Sequence, residues 1–251
     1  MDLIERTHTF RERHPWEQSK QFLIRSLLKK IPSSFQVRTL LDFGCGDGYI
    51  LSQIHPLYPN TTVHGYDCNL TEDQRYQLEA CHAPIRFHTI LERDVQTDLL
   101  LLLDVMEHQE NDLDFLAQLT RHHLNPHGWI LITVPALPML FSNHDLFLKH
   151  HRRYTRKSLL EVVSRSGLEV KASGYAFTSL IVPRFLQRTL ERFTHATQAQ
   201  HGVGHWSHGH LVTRLITNLL SAENALLVGL SAHSIHLPGL TAWTLCQKPS
   251  W

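Results

Sequence analysis

The sequence predicts an α/β fold: a doubly wound, mostly parallel sheet of seven strands, with a helical insertion before the last strand. Three observations carry this. Short apolar runs alternate with amphipathic stretches of helical period along most of the chain. The run TDLLLLLDV (97–105) is apolar at successive positions, as expected of a central parallel strand covered on both faces. The first strand breaks directly into glycines that open a helix, the junction that α/β folds use to hold a ligand.

The elements follow in order. WEQSKQFLIRSLLKKI (16–31) places Phe22, Leu23, Leu27, Leu28 and Ile31 at helical spacing, and Pro32 stops the helix. RTLLDFG is the first strand, and Ile50, Leu51 and Ile54 mark the helix after Gly48. TVHGYD (62–67) is a second strand closing on an acid, 71–81 is helical, and IRFHTI (85–90) is a third strand. After the fourth strand, 112–124 is an amphipathic helix closed by Asn125-Pro126 and Gly128, and WILITVP (129–135) is the fifth strand. SLLEVVSRSG (158–167) is a helix, LEVKASGYAF (168–177) the sixth strand and TAWTLCQK (241–248) the last. Between them, two amphipathic helices (179–193 and 211–230) flank a His/Gly-rich loop, HGVGHWSHGH (201–210), and read as a cap in which Trp206 folds over the site.

Composition narrows the function. With 24 Lys+Arg against 23 Asp+Glu the net charge is +1, which gives no electrostatic basis for binding duplex nucleic acid. The four cysteines, Cys45, Cys68, Cys81 and Cys246, form neither a CxxC pair nor a disulfide framework, so a cytoplasmic setting is expected. The N-terminus lacks the apolar stretch of a signal peptide. The longest pure apolar run, Leu99–Leu103, is far short of the roughly 20 residues that span a bilayer. The apolar stripes of 179–193 and 211–230 offer a surface for peripheral membrane contact, with Arg184, Arg188 and Arg192 on the first. Four histidines in the 201–210 loop lack a cysteine or carboxylate to complete a metal site, and no resident metal is expected.

The sharpest signal is LLDFGCGDGYI (40–50). Its spacing, G-x-G-x-G after Asp42, is neither the G-x-G-x-x-G of a dinucleotide site nor a P-loop. A carboxylate at the end of the next strand, Asp67, can take both hydroxyls of a ribose. Asp47 inside the turn would repel a phosphate-rich ligand but not a nucleoside bearing a cation.

In these segments the chain resembles the class I S-adenosylmethionine-dependent methyltransferases. DFGCGDG is similar to their first motif, YDCN to their ribose-binding acidic motif, and LLLLDVMEH (100–108) to the segment after strand four. LNPHGWILITVPA (124–136) resembles the segment around strand five. HDLFLKHHRRYTRKSL (144–159) and HPWEQSKQ near the start are similar to features of one bacterial branch. The resemblance implies a single Rossmann-like methyltransferase domain over 1–251, with an N-terminal helical cap (1–35) and a helical insertion or lid (178–240). It implies S-adenosyl-L-methionine as cofactor and methyl transfer to a small-molecule acceptor, saccharides and lipid-linked molecules among the candidates. The alternative is a non-catalytic S-adenosylmethionine-binding protein with a regulatory or scaffold role.

Site residues carry over by position. Asp42, Gly44, Cys45, Gly46 and Gly48 would wrap the methionine moiety, Asp67 and Cys68 would meet the ribose, and Ile90 and Leu91 would flank the adenine. Asp104 and Val105, with Glu107 and His108, would lie where strand four opens toward the sulfonium. If the acceptor must lose a proton, His108, His144 and His151, with His150 beside it, are the candidate bases, because imidazole titrates near neutrality. Asp145, Arg152, Arg153 and Tyr154 would hold the substrate, the guanidinium fork being suited to a carboxylate or phosphate. The oligomeric state is left open.

Overall fold

In a computed structural model, residues 13–92, 95–194, 206 and 208–250 are described, with backbone alone over 190–194. The strands are β1 (Thr39–Phe43), β2 (Thr62–Tyr66), β3 (Arg86–His88), β4 (Thr97–Leu103), β5 (Leu124–Pro135), β6 (Glu169–Ala176) and β7 (Thr241–Gln247). They form one seven-stranded sheet in the order β3-β2-β1-β4-β5-β7-β6, parallel except where β7 pairs with β5 and β6. The helices are α1 (Pro15–Leu28), α2 (Tyr49–Ile54), α3 (Glu72–Cys81), α4 (Asp112–His123), α5 (Asn143–Phe147), α6 (Arg156–Arg165), α7 (Ile181–Thr194) and α8 (His210–Ala232).

The leucine run of β4 splits by strand alternation. Leu99, Leu101 and Leu103 join the core beneath α1, α2 and α3, whereas Leu100 and Leu102 join the core with α4 and α6. Leu99 through Leu102 are fully buried, as both faces of a central parallel strand must be. β4 ends one residue before Asp104, whose φ of 56° turns the chain out of the sheet.

Three details differ from the sequence reading. α4 runs directly into β5 at Leu124, where Thr97 pairs Leu124 and the register then jumps to Leu99–Trp129. The extra residues 125–128 bulge out opposite Asp98, which accepts from Asn125 Nδ2 at 2.8 Å and from the Arg38 and Thr39 amides. Phe22, expected on the apolar stripe of the first helix, is 48% exposed; Leu23, Ile24, Leu27 and Leu28 make the contact.

The third concerns the insertion, which divides. α7 lies against the loop after β5: Arg184 donates to Ser142 Oγ at 2.6 Å and Arg188 to the Phe141 carbonyl at 3.1 Å. α8 packs instead on α1 and β6. It buries Thr213, Thr217, Leu220, Asn224, Leu227 and Val228 along one stripe. So half of the insertion covers the cavity described below, and half braces the sheet. By length and composition α8 is also long and apolar enough to cross a membrane, and most of its apolar stretch is exposed. Counting pure apolar runs missed it, because single polar residues interrupt the leucines.

Candidate active site

The strand order reverses between β1 and β4, and ligands of open α/β sheets bind at that point beyond the carboxyl ends of the strands. A cavity of about 840 Å3 opens there, lined by Phe43 and Gly44 after β1, Tyr66 and Asp67 after β2, and Asp104 and Val105 after β4. α1 closes one side with His14, Trp16 and Lys20, and α7 with its preceding turn supplies Leu180, Arg184 and Gln187. The polar part of the wall carries Glu107, His108, His144, Lys149, His150 and Arg153.

The glycine turn is fixed by sterics. Gly44, Gly46 and Gly48 have φ of 84°, 54° and 71°. A Cβ on Gly44 would lie 2.4 Å from Val105, and one on Gly48 would lie 2.8 Å from the Phe87 ring. Only Gly44 of the three reaches the cavity. The Gly46 amide donates to Asp67 Oδ2 at 3.0 Å, and the Asn69 amide donates to Oδ1 at 2.9 Å. These bonds aim the Asp67 carboxylate across the turn and leave it acceptor capacity on both oxygens.

Two acids stand at the ends of β1 and β4, Asp42 buried and Asp104 half-buried. Asp42 Oδ1 is buried without a hydrogen-bond partner, and burial above all pushes the carboxyl up to about 7. Asp104 is opposite: burial acts to raise it, but its ion pair with Lys20 and the Thr133 hydroxyl at 2.8 Å hold it below the usual carboxylate range. Asp47 does not face the ligand space; it pairs with Arg13 at 2.6 Å and caps the Tyr49 amide.

The carried-over residues sort by these positions. Gly44, Asp67, Cys68, Asp104, Val105, His108, His144 and Arg153 line the cavity. Cys45 does not: its thiol is packed in the core beside Gly65, and burial raises it well above the usual thiol value. Ile90 is 79% exposed and Leu91 packs on the core edge; neither lines the cavity, and β3 ends at His88 before them. Tyr154 is buried, donating to Asp112 Oδ2 at 2.7 Å, so it is a bolt between loops and not a substrate contact. Arg152 faces outward onto Asp112 and the Glu110 carbonyl. His151 is exposed; only its amide is used, donating to the Glu107 carbonyl at 2.7 Å.

Asp145, wholly buried, acts one step back from the cavity. Its Oδ1 meets Arg153 Nε at 2.7 Å and His150 Nδ1 at 3.1 Å, and its Oδ2 accepts from Ser142. Hydrogen bonds from these partners and the Arg153 charge outweigh burial and keep it ionised well below the usual range. Trp206 does not line the cavity; it meets the His14 ring edge-on at 4.9 Å and donates to Thr213 Oγ1 at 2.7 Å. His201 and His205 lie outside the described residues. The sequence reading did not name His14 or Lys20. The only signal for them was the likeness of HPWEQSKQ to a branch-specific helix, which does not say where that helix docks.

The residues fit a nucleoside that carries an amino acid: a glycine cradle that admits no side chain, a carboxylate with spare acceptor capacity, and a buried carboxyl with one unpartnered oxygen just behind the turn. A family model for a methyltransferase domain matches residues 15–173. No curated protein matches the sequence. Among solved structures, the chain is similar to the O-methyltransferase of a trans-AT polyketide synthase multienzyme from Brevibacillus brevis, in complex with S-adenosyl-L-homocysteine. The identity is 19%, 94% of this chain and 76% of that one are covered, and the TM-score is 0.54. The [4+2]-cyclase SpnF matches at 14% identity over 97% of this chain and 85% of its own, with a TM-score of 0.56. An O-methyltransferase family protein from Burkholderia thailandensis matches at 14% identity over 94% of this chain, with a TM-score of 0.53, and the alignment spans 58% of that protein. These likenesses show the fold. The domain match covers more than half of the chain, which therefore belongs to the methyltransferase-domain family.

Proposed function

We propose that the protein transfers the methyl group of S-adenosylmethionine to an oxygen of a small acceptor held between α7 and the wall of Glu107, His108, His144 and His150. The observation that carries this is continuity. One cavity joins the glycine turn and Asp67 to that polar wall, so a nucleoside and an acceptor share one space. Bound S-adenosylmethionine supplies a methyl group already activated on a sulfonium. What the chain must add is position and exclusion of water, and well-oriented reactants can gain roughly 7–11 kcal/mol from positioning alone.

Asp67 is placed to hold the ribose, Gly44 to let the backbone approach, and Asp42 to meet an amino group across the turn. Trp16 and Leu180, from α1 and the approach to α7, shield the space from solvent. His144 lines the cavity beside this wall. Burial, helped by the nearby Arg184 charge, lowers its pKa to about 4, so at neutral pH it is an uncharged imidazole, placed to accept a hydrogen bond from the acceptor hydroxyl and too weak a base to deprotonate it unaided. Lipid-linked acceptors lead the candidates: α7 exposes Val182, Phe185 and Leu186, and α8 exposes Leu211, Leu215, Leu219 and Leu226. All four cysteines are free, which supports a reducing, cytoplasmic setting.

Isothermal titration with S-adenosylhomocysteine tests the cofactor half. Asp67→Ala should weaken binding about tenfold or more, the order of one charge-assisted hydrogen bond. A search for release of S-adenosylhomocysteine with phenolic, saccharide and lipid-linked acceptors tests the rest. Tight cofactor binding with no turnover on any of them would favour the regulatory binding protein instead.

A further inference from the structure

We propose that Glu107, His108 and His150 form a site for one divalent first-row transition-metal ion, which presents open coordination positions to the cavity for an oxygen donor of the acceptor. The inference rests on the reading of this wall as the acceptor side. One donor atom from each residue lies within 4.8 Å of the others. Two come from the single 3-10 turn Met106–His108 and the third from the loop before α6. The His151 amide, donating to the Glu107 carbonyl at 2.7 Å, pins that loop to the turn.

Glu107 is the second, independent observation. Its side chain lines the cavity, the residue is 1% exposed, and neither carboxylate oxygen has a hydrogen-bond partner. A buried carboxylate without a partner is costly, and folds retain one where a cation or a protonated function uses it. Two basic side chains whose charges reach Glu107 are committed elsewhere, Lys20 to Asp104 and Arg153 to Asp145.

The histidine geometry points the same way. Asp145 Oδ1 takes His150 Nδ1 at 3.1 Å, which leaves Nε2 as the outward donor. A buried carboxylate fixing the far nitrogen of a ligating imidazole is the usual support of a metal-bound histidine. The His108 and His150 rings stand edge-to-face at 4.6 Å, and each offers a ring nitrogen to the cluster. Two imidazoles and one carboxylate suit zinc, cobalt, iron or manganese better than magnesium or calcium. Three protein ligands leave positions open, as in sites that bind substrate and unlike closed structural sites.

The test uses untagged full-length protein titrated with CoCl2, read by visible d–d absorption and by calorimetry, with S-adenosylhomocysteine binding measured separately. We expect one equivalent of Co2+, weakened about tenfold or more by Glu107→Gln and by His108→Gln, and to a lesser degree by Asp145→Asn, with cofactor affinity unchanged in Glu107→Gln. Replacing His201, His205, His208 and His210 together by Ser should leave the Co2+ spectrum intact. Absence of stoichiometric binding, or binding lost with those four histidines but kept in Glu107→Gln, would overturn the proposal. Failure of the wild type to bind S-adenosylhomocysteine would overturn the cavity reading beneath it.

Discussion

Asp42 stores a consequence of its burial. In the fold its carboxyl is pushed up to about 7 from an ordinary 3.8, chiefly by burial, with Asp67 adding to the rise and Lys20 opposing it. Between those values the folded protein holds a proton that the unfolded chain has released, so this group's contribution to stability falls as pH rises from about 4 to about 7 and then levels off. Thermal denaturation across that range should show the decline, and Asp42→Asn should flatten it. The glycines beside it were legible from sequence, because a positive φ and a missing Cβ are local demands that only one residue type meets without strain. The orphaned state of Asp42 was not legible, since it depends on every atom that does not approach it.

Among the elements, α8 shows how a polar residue on an apolar helix can be structural. Asn224 Oδ1 accepts from the Phe177 amide at 2.9 Å and Nδ2 donates to Ser19 Oγ at 3.2 Å, joining α8 to the end of β6 and to α1. Phe177 is fully buried and its φ is 62°, so its amide has no alternative partner in water. Asn224→Ala should cost about 1–3 kcal/mol in urea unfolding, the penalty for leaving a buried donor unpaired. It should leave the Asp67-side cofactor contacts intact, which calorimetry with S-adenosylhomocysteine would confirm. Both insertion helices were visible as amphipathic stripes. Their different destinations were not, because helical period tells that a face is buried and not against which element.

For the whole molecule, the cavity is assembled from both ends of the described chain: α1 on one side, the β1–β4 strand ends beneath, and α7 and the β7 entry above. Binding of S-adenosylhomocysteine to the folded state alone should therefore raise global stability. At 100 times the dissociation constant the gain is about 2.7 kcal/mol, which for a chain of this size raises Tm by roughly 5–11 °C. A thermal shift that saturates with ligand, and that collapses in Asp67→Ala, would show the coupling; no shift would mean that the ligand does not select the native fold.

The sequence by itself determined the strand–helix alternation, the glycine turn and the acid after the second strand, because each is written in neighbouring residues and obeys a local steric or periodic rule. The tertiary structure decided what faces the ligand. Lys20 pairs with Asp104 across 84 residues, and Asp145 reaches the cavity only through His150 and Arg153. Cys45, Ile90, His151 and Tyr154 sit beside or within the right motifs yet turn into the core or out to solvent. Adjacency in a motif fixes where a backbone runs, but the direction of each side chain follows from packing against segments distant in the chain.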